Sequence, residues 1–180
     1  MQTTPWLLAL VDELKVHLFE LVSDALRPTV ALSLSACCHE LHTSTETHRT
    51  NLRQLHSAAG RLCARVNTTC AAVSESKEVL WYGQGLVVEH MATLGNLLST
   101  NALPLLEVLN LSINRFGAAG MQALFDQLGR GAMPRLMILD LTGNAIDDAG
   151  AAVLAAALRR GALPKLLQRM SRGKATRNKL

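Results

Sequence analysis

An eleven-residue pattern recurs in this chain, thirty residues apart. "LEVLNLSINRF" runs from Leu106 to Phe116, and "LMILDLTGNAI" runs from Leu136 to Ile146. Leu106, Leu109, Leu111 and Asn114 are matched by Leu136, Leu139, Leu141 and Asn144. The echo continues through Gly120 and Gly150, Leu124 and Leu154, Leu128 and Leu158, and through Pro104, Pro134 and Pro164. A period of this size predicts stacked supersecondary units, because one such unit cannot bury its apolar face alone.

The spacing within a unit has a physical reading. Leu109 and Leu111 alternate, so they share one face of a short strand. Asn114 then turns the chain, its side chain able to pair backbone groups that the turn leaves open. In "GAAGMQALFDQLGRGAMP", Met121, Leu124, Phe125 and Leu128 fall at helical spacing, with Gly129 or Gly131 as the stop. Each unit is expected to run strand, turn, helix, return.

This pattern, L-x-x-L-x-L-x-x-N, resembles the leucine-rich repeat family in its ribonuclease-inhibitor-like class, over residues 76–166. The resemblance implies a short α/β solenoid, with parallel strands on a concave face and helices on a convex face. Leu109, Leu111, Asn114, Leu139, Leu141 and Asn144 would be its structural residues. A degenerate first copy precedes the two clear ones: "EVLWYGQGL" is its strand half, with Val79 and Trp81 at the core positions and Gln84 for the Asn. A fourth copy starts with Leu163, Pro164 and Leu166, then places Arg169 and Ser171 where core leucines belong. An unpaired Arg there would cost several kcal/mol, so residues 167–180 read as a disordered basic tail. The end of the array is left to a partner, a second copy, or further repeats.

The net charge of +4 comes from that tail: residues 165–180 hold six Lys or Arg and no acid, leaving −2 elsewhere. Residues 101–164 carry five bases and five acids, so the repeats present no basic face for specific nucleic-acid binding. No run of about 18 apolar residues exists to span a membrane. "PWLLALVDELKVHLFELV" lacks a basic start and is interrupted by Asp12 and Glu13, unlike a signal peptide. The expected compartment is therefore the cytoplasm or the nucleus. Cys37, Cys38, Cys63 and Cys70 form no Cys-x-x-Cys pair and read as free thiols. "CCHELH" lacks an obvious second ligand pair, so no metal is expected.

Residues 1–73 show no thirty-residue period and read as an all-α cap. Leu7, Leu10, Leu14, Leu18 and Leu21 form one helical stripe, and Pro28 then breaks or restarts the chain. "TVALSLSACCHELHTST" reads as a second helix, and residues 46–73 as a third carrying Leu52, Leu55, Ala59, Leu62 and Val66. The first two are similar to an F-box at Leu10, Glu13, Leu14, Leu18 and Phe19, and at Leu32, Leu34, Cys38 and Leu41. Val11 and His39 depart from that pattern, where the family has Pro and a base. The resemblance would make Leu10, Leu14, Leu18, Phe19, Leu32 and Leu34 contacts to a Skp-type adaptor. A plain cap on the array is the other reading.

No nucleophile–base–acid set, phosphate loop or His-Glu-x-x-His motif appears, so no enzyme and no cofactor are expected. Asp147 and Asp148 stand before a helix, where acids suit its dipole. The register instead predicts a surface. Three columns would cross the concave face: Glu78, Val108, Ile138; Leu80, Asn110, Asp140; and Tyr82, Ser112, Thr142. The expected function is protein binding through these residues, with an F-box-like substrate receptor of a ubiquitin ligase as the sharper form. The rival is a regulator of a small GTPase, since Ran-GTPase-activating proteins share this repeat class.

Overall fold

A computed structural model describes residues 12–36 and 39–166. Leu10, the Cys37–Cys38 pair and the basic segment 167–180 lie outside the described residues. The chain divides into two compact units, Met1–Gly60 and Arg61–Leu180, with the division inside one helix.

The first unit is helical. Helices α1 (Asp12–Leu21), α2 (Thr29–Ala36) and α3 (His39–Ser44) pack on one another, and α4 (Glu46–Arg65) follows. Its core is Phe19, Ala25, Leu26, Ala31, Leu52 and Ala59. The turn after α1 is fixed locally: Asp24 Oδ1 accepts the Leu26 N–H at 2.8 Å, and the Ser23 hydroxyl donates to the Phe19 carbonyl. His56 of α4 bonds the Ala25 carbonyl at 2.7 Å through its Nδ1. The leucine stripe of α1 is not its buried face. Leu14 is 51% exposed and Leu21 71%, whereas Phe19 is 1% exposed and Lys15 is buried beside it. The larger aromatic turns the helix about its axis, because burying it removes more apolar area than burying a leucine does.

The helix expected over residues 46–73 breaks in two. Asn67 takes a left-handed φ of 55°, the Thr68 N–H bonds the Cys63 carbonyl, and the Asn67 N–H bonds the Ala64 carbonyl. These two bonds are a Schellman stop, which Asn tolerates better than most residues. Thr69 then caps α5 (Cys70–Glu75), its hydroxyl accepting the Ala72 N–H at 3.2 Å.

Three strand–helix units follow: β1 (Glu78–Leu80) with α6 (Val88–Ser99), β2 (Val108–Asn110) with α7 (Gly117–Phe125), and β3 (Ile138–Asp140) with α8 (Asp148–Arg159). The strands form one parallel sheet in the order β1-β2-β3, and each residue of β1 and β2 pairs with the one thirty further on. Regular pairing covers three residues per strand, but the ladder extends past it. The N–H groups of Trp81 and Gly83 reach the carbonyls of Asn110 and Ser112, and those of Leu111 and Ile113 reach Asp140 and Thr142. α6 packs on α7 and α7 on α8. α7 stops at Phe125, short of Leu128, yet Leu128 is still 1% exposed. Asp147 is the N-cap of α8, accepting the Gly150 N–H at 2.9 Å, and Asp148 is its first residue.

The core lies between sheet and helices. Val79, Trp81, Leu109 and Leu111 are buried, as are Met91, Leu94, Leu124 and Phe125. Leu139 and Leu141 occupy the equivalent sites of the last unit and are only half-buried, as are Leu154 and Leu158 of α8. Each unit's apolar face is completed by its successor, and the described part of this chain gives β3 none.

Candidate interaction face

The side of the sheet turned away from the helices carries the even-numbered residues. Glu78, Val108 and Ile138 stand side by side, as do Leu80, Asn110 and Asp140. Tyr82, Ser112 and Thr142 follow two residues on, where the ladder is still closed by the Gly83 and Ile113 N–H bonds. Neighbouring strands are about 4.8 Å apart, so the three columns span about 10 Å across the sheet.

Burial differs across this face. Leu80 is 53% exposed, Tyr82 59% and Ile138 42%, while Val108 and Asn110 are half-buried and Ser112 is buried. Large apolar groups therefore stand on the two outer strands, with a less exposed floor of Val108, Asn110 and Ser112 on the middle one.

Two polar side chains on the face are held by the backbone. Asn110 Oδ1 accepts the Ser112 N–H at 3.0 Å and the Ser112 hydroxyl at 2.7 Å. Asp140 Oδ1 accepts the Thr142 N–H at 3.0 Å, one repeat later. That backbone N–H bond, with a further bond to the Thr142 side chain, holds the Asp140 carboxyl below its usual range. It is thus ionised and pre-oriented at neutral pH. Glu78 and Asp140 are the charged residues of the three columns, and both are acids.

The turns behind the face are pinned by asparagine. Asn114 Oδ1 accepts the Leu86 N–H at 3.0 Å, and its amide donates to the carbonyls of Trp81 at 2.8 Å and Leu111 at 2.9 Å. Asn144 repeats the donor side, giving its amide to the carbonyls of Leu111 and Leu141, while its Oδ1 accepts the N–H groups of Asn114 and Arg115. Each asparagine thereby ties its own turn to the preceding unit, and both are buried.

Two contributors to this region were not read from the sequence. Ile113 projects beside the face, 60% exposed, at a φ of 59° that a β-branched residue rarely adopts. Its equivalents are Gly83 and Gly143, both also left-handed, so the alignment of the three repeats held the signal. The second is a cavity of about 250 Å³ beside β1, walled by Val66, Ala72 and Val73 on one side and Glu78 and Leu80 on the other.

The residues of the F-box resemblance are dispersed in depth within the first unit. Phe19 is in the core, Leu18, Leu32 and Leu34 are half-buried, Leu14 is exposed, and Leu10 lies outside the described residues. Among the described residues, no group of three or more His, Cys, Asp or Glu gathers to hold a metal, and no helix is long and apolar enough to cross a membrane.

The leucine ladder, the paired asparagines and the parallel sheet define leucine-rich repeat units. A family model described as leucine rich repeat matches residues 102–125 and 133–155, the second and third strand–helix units. No curated protein and no solved structure matches the chain.

Proposed function

We propose that the protein is a non-enzymatic interaction module that binds another protein through the exposed face of its sheet, the face that is concave in a stacked solenoid of the ribonuclease-inhibitor-like kind. The observation that carries this reading is the exposure of Leu80, Tyr82 and Ile138 on one backbone-pinned surface that also holds the ionised Asp140. Exposed apolar groups on a rigid scaffold lose little entropy on binding, and a tyrosine is the kind of anchor that interfaces favour. The two leucine-rich repeats support the same conclusion, since such repeats commonly bind proteins. The test compares partner capture by the full chain with capture by Tyr82→Ala, Ile138→Asp and, on the helical side, Gln122→Ala. Capture weakened by the first two and kept by the third supports the reading. Equal capture by all of them removes it.

A narrower form assigns the first unit to a Skp-type adaptor, making the chain a substrate receptor of a ubiquitin ligase. Its support is the exposure of Leu14, Leu21 and Val30 on short helices, at 51%, 71% and 62%. Purified adaptor titrated into the full chain should bind, and Leu14→Asp should abolish binding while Tyr82→Ala keeps it. A folded chain that ignores the adaptor excludes this form and leaves the broader one standing.

A further inference from the structure

Cys63 and Cys70 meet across the turn that joins α4 to α5. Both are free thiols, and the Cys70 Sγ–H points at Cys63 Sγ over 3.7 Å. The approach is set by the backbone between them. The Schellman bonds to the Cys63 and Ala64 carbonyls close the end of α4, and the Thr69 cap fixes the start of α5. The sulfurs need to close by less than about 2 Å to reach bonding distance, a movement within the range of side-chain rotation. Two thiols held this way have already met much of the entropic cost of forming a ring.

Their surroundings are unequal. Cys63 is 2% exposed, while Cys70 is half-buried and reachable from solvent. Burial and the neighbouring Cys70 push the Cys63 thiol up to about 12. Burial closes Cys63 to an incoming reagent, so Cys70 is the group that meets it, and Cys63 has only to reach the neighbouring Cys70 sulfur.

We propose that Cys63 and Cys70 form a dithiol–disulfide site that exchanges with low-molecular-weight disulfides such as glutathione disulfide. Cys70 Sγ loses its proton and attacks one glutathione sulfur. The Cys70–glutathione bond forms, the glutathione disulfide bond breaks, and one glutathione leaves as a thiolate that takes up a proton. Cys63 Sγ then loses its proton and attacks Cys70 Sγ, and the second glutathione leaves and is protonated. Two protein thiols are oxidised and one glutathione disulfide is reduced to two glutathiones. The new bond ties the last turn of α4 to the first turn of α5, whose Ala72 and Val73 wall the cavity beside β1.

The test uses the full chain carrying Cys37→Ser and Cys38→Ser, so that only the proposed pair is present. It is equilibrated with mixtures of glutathione and glutathione disulfide, acid-quenched, alkylated and digested with trypsin. Cleavage after Arg61, Arg65 and Lys77 puts Cys63 in peptide 62–65 and Cys70 in peptide 66–77. The expected product is these two peptides joined, formed by native protein faster than by protein in urea. Adding Cys63→Ser should stop the reaction with one glutathione on Cys70, and adding Cys70→Ser should leave Cys63 unmodified. A native protein that accumulates the mixed disulfide without joining the peptides, or that joins them only in urea, overturns the proposal. Modification of Cys63 in the Cys70→Ser chain at the rate of the first step overturns the assigned order of attack. The native-versus-urea comparison needs neither serine variant at positions 63 and 70, so it stands even if those fail to fold.

Discussion

Replacing Asn114 by alanine should cost about 3 kcal/mol of stability, and the figure follows from which partners are stranded. Asn114 is 5% exposed. Its Oδ1 is the acceptor for the Leu86 N–H, and its amide is the donor at 2.8 Å to the Trp81 carbonyl. Its third strong partner, the Leu111 carbonyl, keeps a 2.8 Å bond from Asn144 and is not stranded. Two buried backbone groups are therefore left unpaired, at about 1–3 kcal/mol each. Entry of water at the turn recovers part of the resulting ~2–6 kcal/mol, which brings the expected cost to about 3 kcal/mol. Asn110→Ala is the control: its Oδ1 serves only Ser112, two residues on, so one backbone N–H is stranded instead of two backbone groups, and the cost should be about half as large. Asn114→Ala and Asn144→Ala should not add, because both amides share the Leu111 carbonyl and Asn144 accepts from the Asn114 N–H. The assay is urea unfolding followed through Trp81, which is 6% exposed, in a chain carrying Trp6→Phe. The midpoint should fall with the slope unchanged. A loss no larger than that of Asn110→Ala would mean that water replaces the Asn114 bonds at no cost, and would overturn the role given to them.

Three further outcomes follow from local geometry. Ile113→Gly relieves a left-handed φ of 59° on a side chain that is 60% exposed, and should raise the urea midpoint by the equivalent of about 1 kcal/mol; a fall would show that its contact with the Gly143 turn outweighs the strain. Gly95→Ala places a methyl 2.6 Å from the Ala123 carbonyl oxygen and 2.8 Å from that of Leu124, both backbone atoms of α7. The overpacking of about 1–3 kcal/mol outweighs the ~1 kcal/mol gain in helix propensity, so the thermal midpoint should drop. Asp140 has a folded-state pKa below its unfolded value, so its contribution is present above an unfolded pKa of about 3.9 and is lost as pH falls through the lower folded one. Asp140→Asn should therefore flatten the decline of the thermal midpoint in that acid window and leave the slope near pH 7 unchanged, as scanning calorimetry across pH would show.

The thirty-residue period was enough to place three strands side by side, because in a parallel stack the sequence period and the sheet register are one constraint. Glu78, Val108 and Ile138 must pair if each unit repeats the last. What the period concealed is the backbone conformation between strand and helix. Residues 83, 113 and 143 are all left-handed, and so are 85, 115 and 145. Three of these six positions hold Gly, which takes the conformation freely, but Ile113 and Arg115 do not advertise it. There the ladder bonds and the Asn144 carboxamide dictate a φ that the residues would not choose. The helical unit was less legible for the opposite reason, lacking any repeat to check against. A leucine stripe marked α1 as amphipathic but not which of two overlapping faces is buried, and Phe19 decided that through its size. Asn67 ended α4 in the middle of a continuous apolar pattern because its left-handed tolerance outweighs the pattern around it.

The repeats separate the positions that hold the fold from those they expose by the parity of the strand residues. Odd-numbered strand positions are committed to the core: Val79, Trp81, Leu109 and Leu111 are all buried. The asparagines then close the turn beneath them, so the even-numbered positions inherit fixed coordinates without contributing to the core. Leu80, Tyr82 and Ile138 can consequently vary in identity at little cost to folding. On the proposed reading, substitutions there should change binding while leaving stability nearly intact, whereas Asn114→Ala and Asn144→Ala should lower stability itself.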